Sequence, residues 1–366
     1  MRNILLMMAT TLLPMCAMAQ QEHSLTVNVE APGTLASYIA EDSRMNITAL
    51  TIKGSINGTD LGLIRTMAGN GTDGYATEGK LESLDLSGAR LVRGGDVYYN
   101  DPQGYDAYSQ TFDDAICSNA FWECKSLVSV ILPEGITRIS DDAFSVCTNL
   151  KSINIPSTVT KFGSAFYHCF SLESITIPEG IKKIDDLTFS TCRSLQSITI
   201  PESVTEIGAA VFRDCDALTE VVIPNAVTSI GNYAFQWCDN LTNVTLGEGL
   251  TSLADGVFYG CTQMASITAL NPTPSYCGTD AFGQIDKEAC ILYVPAESVE
   301  AYSNANGYKD FMHIQPITAS SIDSNLAGDK HEVARYSIDG RQLSQPTQGI
   351  NIVRYSDGTT TKVLIE

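Results

Sequence analysis

Seven cysteines recur at Cys124, Cys147, Cys169, Cys192, Cys215, Cys238 and Cys261, in steps of 23, 22, 23, 23, 23 and 23 residues. Thiols at regular spacing suggest three chemistries: disulfide bridging, metal ligation and nucleophilic attack. Tetrahedral metal ligation needs a local quartet, and no Cys-x-x-Cys pair accompanies these positions, while the single His168 beside Cys169 cannot supply one. His23, His168, His313 and His331 are scattered, and "HEVAR" at His331 lacks the second histidine of a hydrolytic zinc helix. The reading is no metal and no cofactor. One cysteine per repeat points the same way from each successive turn, which suits a column of small buried thiols better than paired bridges. Cys277 and Cys290 fall outside the register and are the pair to test for a bridge.

Other groups with chemical potential fare as follows. Gly69, Gly71 and Gly74 match the Gly-x-Gly-x-x-Gly pattern of a dinucleotide loop, but they follow a helix-like segment and lead into a loop, the reverse of the strand-to-helix setting that chemistry requires. No Gly-x-Ser-x-Gly elbow occurs, and Asp141-Asp142 and Asp185-Asp186 read as solvated corners. No enzyme is expected. The residues left as a candidate binding site are Tyr98, Tyr99, Tyr105 and Tyr108, in a Gly-rich insertion. Tyrosine offers a large amphipathic contact area at small entropic cost. The alternative is an insertion folded down as a cap. Trp122, Tyr167, Trp237 and Tyr259, at the repeat corners, read as packing.

The element that would position these groups is the repeat itself. Around the first six of these cysteines stand Phe three residues before, Leu three after, then Ile or Val, Ile or Leu, and usually Pro, as in Phe189, Cys192, Leu195, Ile198, Ile200 and Pro201; at Cys261, Met264 replaces the leucine. The Leu-x-x-Ile-x-Ile segment predicts one short strand per turn with alternate residues inward, and Pro133, Pro156, Pro178, Pro201 and Pro224 mark where the chain leaves the sheet. One such unit cannot bury its own apolar face, so the units must stack into a solenoid. The outward positions, Ser129, Ser152, Ser174, Ser197, Asn154, Thr176, Thr199 and Thr245, are bland. The 22-residue step is a deletion between Phe162 and Phe166.

The frame resembles the BspA-like leucine-rich repeats of bacterial surface proteins, in units such as "AFSVCTNLKSINIPSTVTKF" and "AFQWCDNLTNVTL". The resemblance implies a leucine-rich-repeat solenoid over 116–316, ending in the closing segment "ILYVPAESVEAYSNANGYKDFMHIQPI". Over 20–115, "ITALTIKGSINGTDLGLIRTMAG" and "LESLDLSGARL" resemble longer coils of the same family. Leu50 aligns with Leu84, and Asn57 or Thr59 caps a short helix bearing Leu61, Ile64 and Met67. Residues 317–332 read as a linker. Residues 333–366 read as a small C-terminal β unit, with a hairpin at Asp357-Gly358 whose Ile350, Ile352, Val363 and Ile365 share one face. This unit resembles the sorting domains of the type IX secretion route. A plain β cap is the other reading.

Residues 1–19 have the basic start, apolar run and small-residue end of a signal peptide, with cleavage expected after Ala19. Lipidation at Cys16 is the rival, weakened by Met15 before it. No later run is long enough to cross a bilayer. A net charge of -20 disfavours nucleic acid and anionic membranes. What the resemblance implies is an exported protein of the cell surface or medium, with the periplasm as alternative. It would act as an adhesive scaffold for a protein, such as a host extracellular-matrix protein, or for a glycan.

Overall fold

The structure, a computed structural model, describes residues 23–100, 109–318 and the strand segments of 332–365. The expected signal peptide lies outside the described residues. The described chain divides into two compact units at Gln315 and Pro316.

The first unit is a parallel β-solenoid with little helix. In a regular coil the strand after the repeat leucine pairs in parallel with its counterpart 23 residues on, as Glu220–Ile223 does with Asn243–Leu246. Val221 and Ile223 point inward and are buried, while Glu220 and Val222 point outward. This ladder runs in two five-stranded stretches, from Ser24–Val29 to Ser152–Asn154 and from Glu220–Ile223 to His313–Pro316; between them stands the single bridge from Thr176 to Thr199. Its outward row is only partly solvated: Ser152, Thr176 and Thr199 are exposed, whereas Thr245 is buried.

A second ladder, absent from the sequence reading, follows the proline corner of each coil. Two-residue strands such as Arg138–Ile139, Lys161–Phe162 and Ser229–Ile230 place one residue outward and one inward. They are too short for alternation to reveal them. A third row of backbone bonds closes the arc: Phe189 and Thr191 donate their N–H groups to the carbonyls of Val211 and Arg213 in the next coil, at 3.0 and 2.6 Å. The arc turns through left-handed residues just before most of the cysteines, including Val146 and Thr191 at φ 62°. A β-branched residue there is strained by about 1–2 kcal/mol. Inter-coil hydrogen bonding satisfies the backbone in return.

The N-terminal coils are longer. The strands β1 (Ser24–Val29), β2 (Ala49–Ile56) and β3 (Ser83–Leu91) pair in parallel, with Leu50 opposite Leu84 as the alignment anticipates. Helix α1 (Gly58–Met67) lies between β2 and β3, capped by Asn57, whose side chain accepts from the Thr59 N–H. Leu61, Ile64 and Met67 are fully buried. Asp60 completes the cap: its carboxylate accepts from the N–H groups of Asn57, Gly33 and Leu35 at 3.0, 2.6 and 2.9 Å, so one buried side chain fastens both the helix and the loop before β2. Replacing Asp60 with alanine strands three N–H groups and should cost about 2–3 kcal/mol in a denaturant titration. Equal stability would show that water satisfies them.

At the other end, α2 (Val299–Asn304) and the turn after it bring Tyr302, Tyr308 and Phe311 against the last coil, where the Tyr308 and Phe311 rings cover Phe282 at 5.4 and 5.5 Å. The second unit is a four-stranded antiparallel sheet of Glu332–Ser337, Gln342–Leu343, Gly349–Tyr355 and Thr360–Ile365. Its register sets Ile350 opposite Leu364 and Ile352 opposite Lys362. The expectation that Ile350, Ile352, Val363 and Ile365 share one face is therefore one residue out of register, since Val363 stands opposite Asn351 and Ile365 opposite Gly349. The hairpin turn, Asp357-Gly358, lies outside the described residues.

Candidate functional site

The limbs of the tyrosine insertion are rooted in the solenoid. Gly94 accepts from the Gly58 N–H and the Thr111 hydroxyl, both at 2.9 Å, and the Tyr98 N–H donates to Ser109, so the two limbs meet at the start of α1. Tyr98 is 0% exposed and gives its hydroxyl hydrogen to the Ser118 carbonyl at 2.6 Å. Tyr99, 3% exposed, lies 5.4 Å from Trp122 and under the Arg65 guanidinium at 4.6 Å. These two buried rings anchor the limbs of the insertion. Tyr105 and Tyr108 lie outside the described residues.

Arg65 has no counterpart in the sequence reading. It is fully buried, and it donates to the carbonyls of Asn119 at 2.6 Å and Ala120 at 3.3 Å, to Asn70 Oδ1 at 2.6 Å and to Gly71 at 3.5 Å. It joins α1, the glycine loop after it and the first regular coil.

All seven repeat cysteines are free and buried, as are Cys117 and Cys290, while Cys277 is free and half-buried; the pair Cys277 and Cys290 is unbridged. From Cys147 on, each repeat thiol donates to the carbonyl of the preceding coil's phenylalanine, from Cys147 to Phe121 at 3.0 Å through to Cys261 to Phe235 at 3.1 Å. Beside them the phenylalanine rings from Phe121 to Phe282 stack at 5.0–5.8 Å. Burial pushes the Cys124 thiol up to about 11 and Cys169 up to about 12. The nucleophilic thiolate is thereby suppressed at neutral pH. A thiol reagent should label Cys147, Cys169, Cys192, Cys215 and Cys238 only after unfolding; mass spectrometry finding them labelled in native protein would contradict the column.

The arc face carries what the Ser/Thr row lacks. Phe170, Tyr233 and Trp237 are 36%, 44% and 38% exposed. Arg193 lies over the Phe170 ring and Arg213 over Trp237, at 5.5 and 4.8 Å, while Trp237 and Tyr259 pack over Gly260 and Gly283 of the next coil. The corner aromatics are thus packed on one side and partly open on the other. His168 stacks on Tyr167 at 3.8 Å; burial and the Arg193 charge lower its pKa against the pull of Asp214.

Concavities lie between the coils, among them one lined by Asp141, Ser164, Lys183, Asp185, Asp186 and Leu187. A cleft of about 300 Å³ is lined by Phe112, Arg138, Asp141, Lys161, Phe162 and Asp185, among others. A wider groove of about 470 Å³ gathers Lys80, Lys125 and Lys151, a basic group that the sequence hides because its members come from different coils. Lys125 and Lys151 there have acidic partners in half-buried Glu123 and exposed Glu173, at 3.4 and 3.6 Å. Among the described residues, no group of three or more His, Cys, Asp or Glu is placed to hold a metal, and no helix is long and apolar enough to cross a membrane.

Stacked parallel coils, a repeat leucine before each strand and a continuous aromatic core define a leucine-rich-repeat solenoid. Residues 114–241 and 163–289 match the BspA type leucine rich repeat region, in six copies. Among solved structures, the chain is 29% identical to a leucine-rich repeat protein of T. pallidum, over 53% of this chain and 73% of that one, with a TM-score of 0.32. It is 23% identical to a leucine rich cell surface protein of Faecalibacterium prausnitzii, over 58% and 79% with a TM-score of 0.26. To a leucine-rich repeat protein of Bacteroides ovatus it is 18% identical, over 56% and 79% with a TM-score of 0.23. No curated protein matches the chain. The family and the fold are those of repeat scaffolds rather than of known enzymes.

Proposed function

We propose that this is an exported repeat scaffold that holds a protein partner, with contact centred on the insertion bearing Tyr98, Tyr99, Tyr105 and Tyr108 and continuing along the arc face. The observation that carries the reading is the packing of Tyr99 on Trp122. Trp122 stands two residues before its repeat cysteine, as do Tyr167, Arg213 and Tyr259, so the insertion is rooted at one end of the row of aromatic and arginine side chains. Exposed Trp, Tyr and Arg on a rigid support are the composition of binding hot spots. In this reading Tyr98 and Tyr99 fix the limbs while Tyr105 and Tyr108 make contact.

The test compares Tyr105→Ser with Tyr108→Ser, and Phe170→Ser with Trp237→Ser, against panels of extracellular-matrix proteins and glycans by surface plasmon resonance. Each pair should weaken binding about ten-fold or more with thermal stability retained. Unchanged affinity in both pairs refutes the site, and binding to glycans alone replaces the partner class. Export rests on the signal-like residues 1–19. The C-terminal unit is proposed as the sorting element: a chain truncated after Ile317 should fold yet fail to reach the surface or medium. Normal arrival would reduce that unit to a cap.

A further inference from the structure

The deletion in the 22-residue coil opens a cleft with unusual electrostatics. In neighbouring coils the step from the inward residue of the second ladder to the core phenylalanine is five, as from Ile139 to Phe144 and from Ile184 to Phe189; here the step from Phe162 to Phe166 is four. The second ladder breaks at this point, between Lys161–Phe162 and Lys183–Ile184. Gly163 fills the shortened turn, and a Cβ at that position would overlap the Asp141 carboxylate. Asp141, from the coil before, and Asp185, from the coil after, therefore line the same space across a glycine.

Two like-charged pairs face this space. Arg138 and Lys161 are direct cross-strand partners, a juxtaposition of cations that is unfavourable by itself. Asp141 and Asp185 repel one another as well; burial is the main cause of the raised Asp185 pKa, Lys183 opposes it, and the Asp141 charge adds to it. Among the described residues none of the four makes an ion pair, whereas the next cation along the row, Lys183, is paired with Glu206 at 2.8 Å. Phe112, 41% exposed, supplies an apolar wall.

We propose that this cleft binds a small zwitterion, a free amino acid or short peptide, with its carboxylate on Arg138 and Lys161, its ammonium on Asp141 and Asp185, and an apolar side chain along Phe112. Such a ligand relieves both repulsions at once, and a space of about 300 Å³ suits a dipeptide. A neutral sugar relieves neither. This site is separate from the arc face and stands or falls apart from it.

The test is calorimetric titration of the whole chain with glycyl-phenylalanine, with its N-acetylated form and with its C-terminal amide. Saturable binding is expected for the free dipeptide, weakened about ten-fold by blocking either end and by Arg138→Gln or Asp185→Asn, at an unchanged unfolding temperature. No saturable binding of the free dipeptide overturns the proposal, as does equal binding of the blocked forms, an arm that needs no variant to fold. A neutral trisaccharide whose binding is lost in the same variants would make the cleft a polyol site and also overturn it.

Discussion

Replacing Phe189 with alanine should destabilise the array by about 3–5 kcal/mol. Its ring lies 5.6 Å from Phe166 on one side and 5.6 Å from Phe212 on the other, nearly parallel to both, with the edge of Phe162 at 6.4 Å. Truncation thus empties a space shared by three coils. Coils in a solenoid touch only their neighbours, so the loss also weakens the coupling between the two halves of the array. The two tryptophans are placed to report this, Trp122 before the lesion and Trp237 after it. In a denaturant titration, Trp122→Phe and Trp237→Phe backgrounds should share one midpoint when Phe189 is present and diverge when it is alanine. An unchanged midpoint in the Phe189→Ala chain would mean that the column does not carry the fold.

That column is legible in the sequence for a physical reason. A residue that must meet its own kind 23 positions on is constrained at every coil, so Phe189 and Cys192 repeat, and inward Ile198 and Ile200 repeat with them. The helix start at Asn57 was legible too, since capping is a local rule. The second ladder was not: a pair such as Lys161 and Phe162 has no alternation to read. Nor were the left-handed turns, because Val146 and Thr191 sit where glycine would be expected, held there by bonds to the neighbouring coil. Asp141 and Asp185 looked like separate solvated corners, and only the stacking of coils, with Gly163 between, brings them to one cleft. Composition leaves Tyr98 and Tyr99 open to either reading, contact residues or a cap folded onto the coil. Nothing local distinguishes a loop tyrosine that anchors from one that binds.

Arg65 is the clearest case of a residue whose role the sequence conceals, and its replacement should rival that of Phe189. A lone arginine between Ile64 and Thr66 on a short helix is by default a surface residue that carries its charge into water. Here the guanidinium is wholly enclosed, and no carboxylate joins it in an ion pair among the described residues. Backbone carbonyls of Asn119, Ala120 and Gly71 and the Asn70 amide oxygen accept from it, and the Tyr99 ring faces it. Those acceptors and the ring belong to three separate segments, so the planar guanidinium acts as a joint between them. Arg65→Met fills much of the volume but leaves the acceptors buried and unpaired, at an expected cost of about 3–5 kcal/mol. Arg65→Lys keeps the charge with a single nitrogen, cannot span Asn119 and Asn70 together, and should recover only part of the loss. Hydrogen exchange separates this joint from a general loss of stability: residues 58–72 and 117–122 should lose protection in Arg65→Met while the coils from 189 to 261 keep theirs. Uniform loss along the array, or stability within about 0.5 kcal/mol of the parent, would show that water reaches these carbonyls and that the arginine is dispensable.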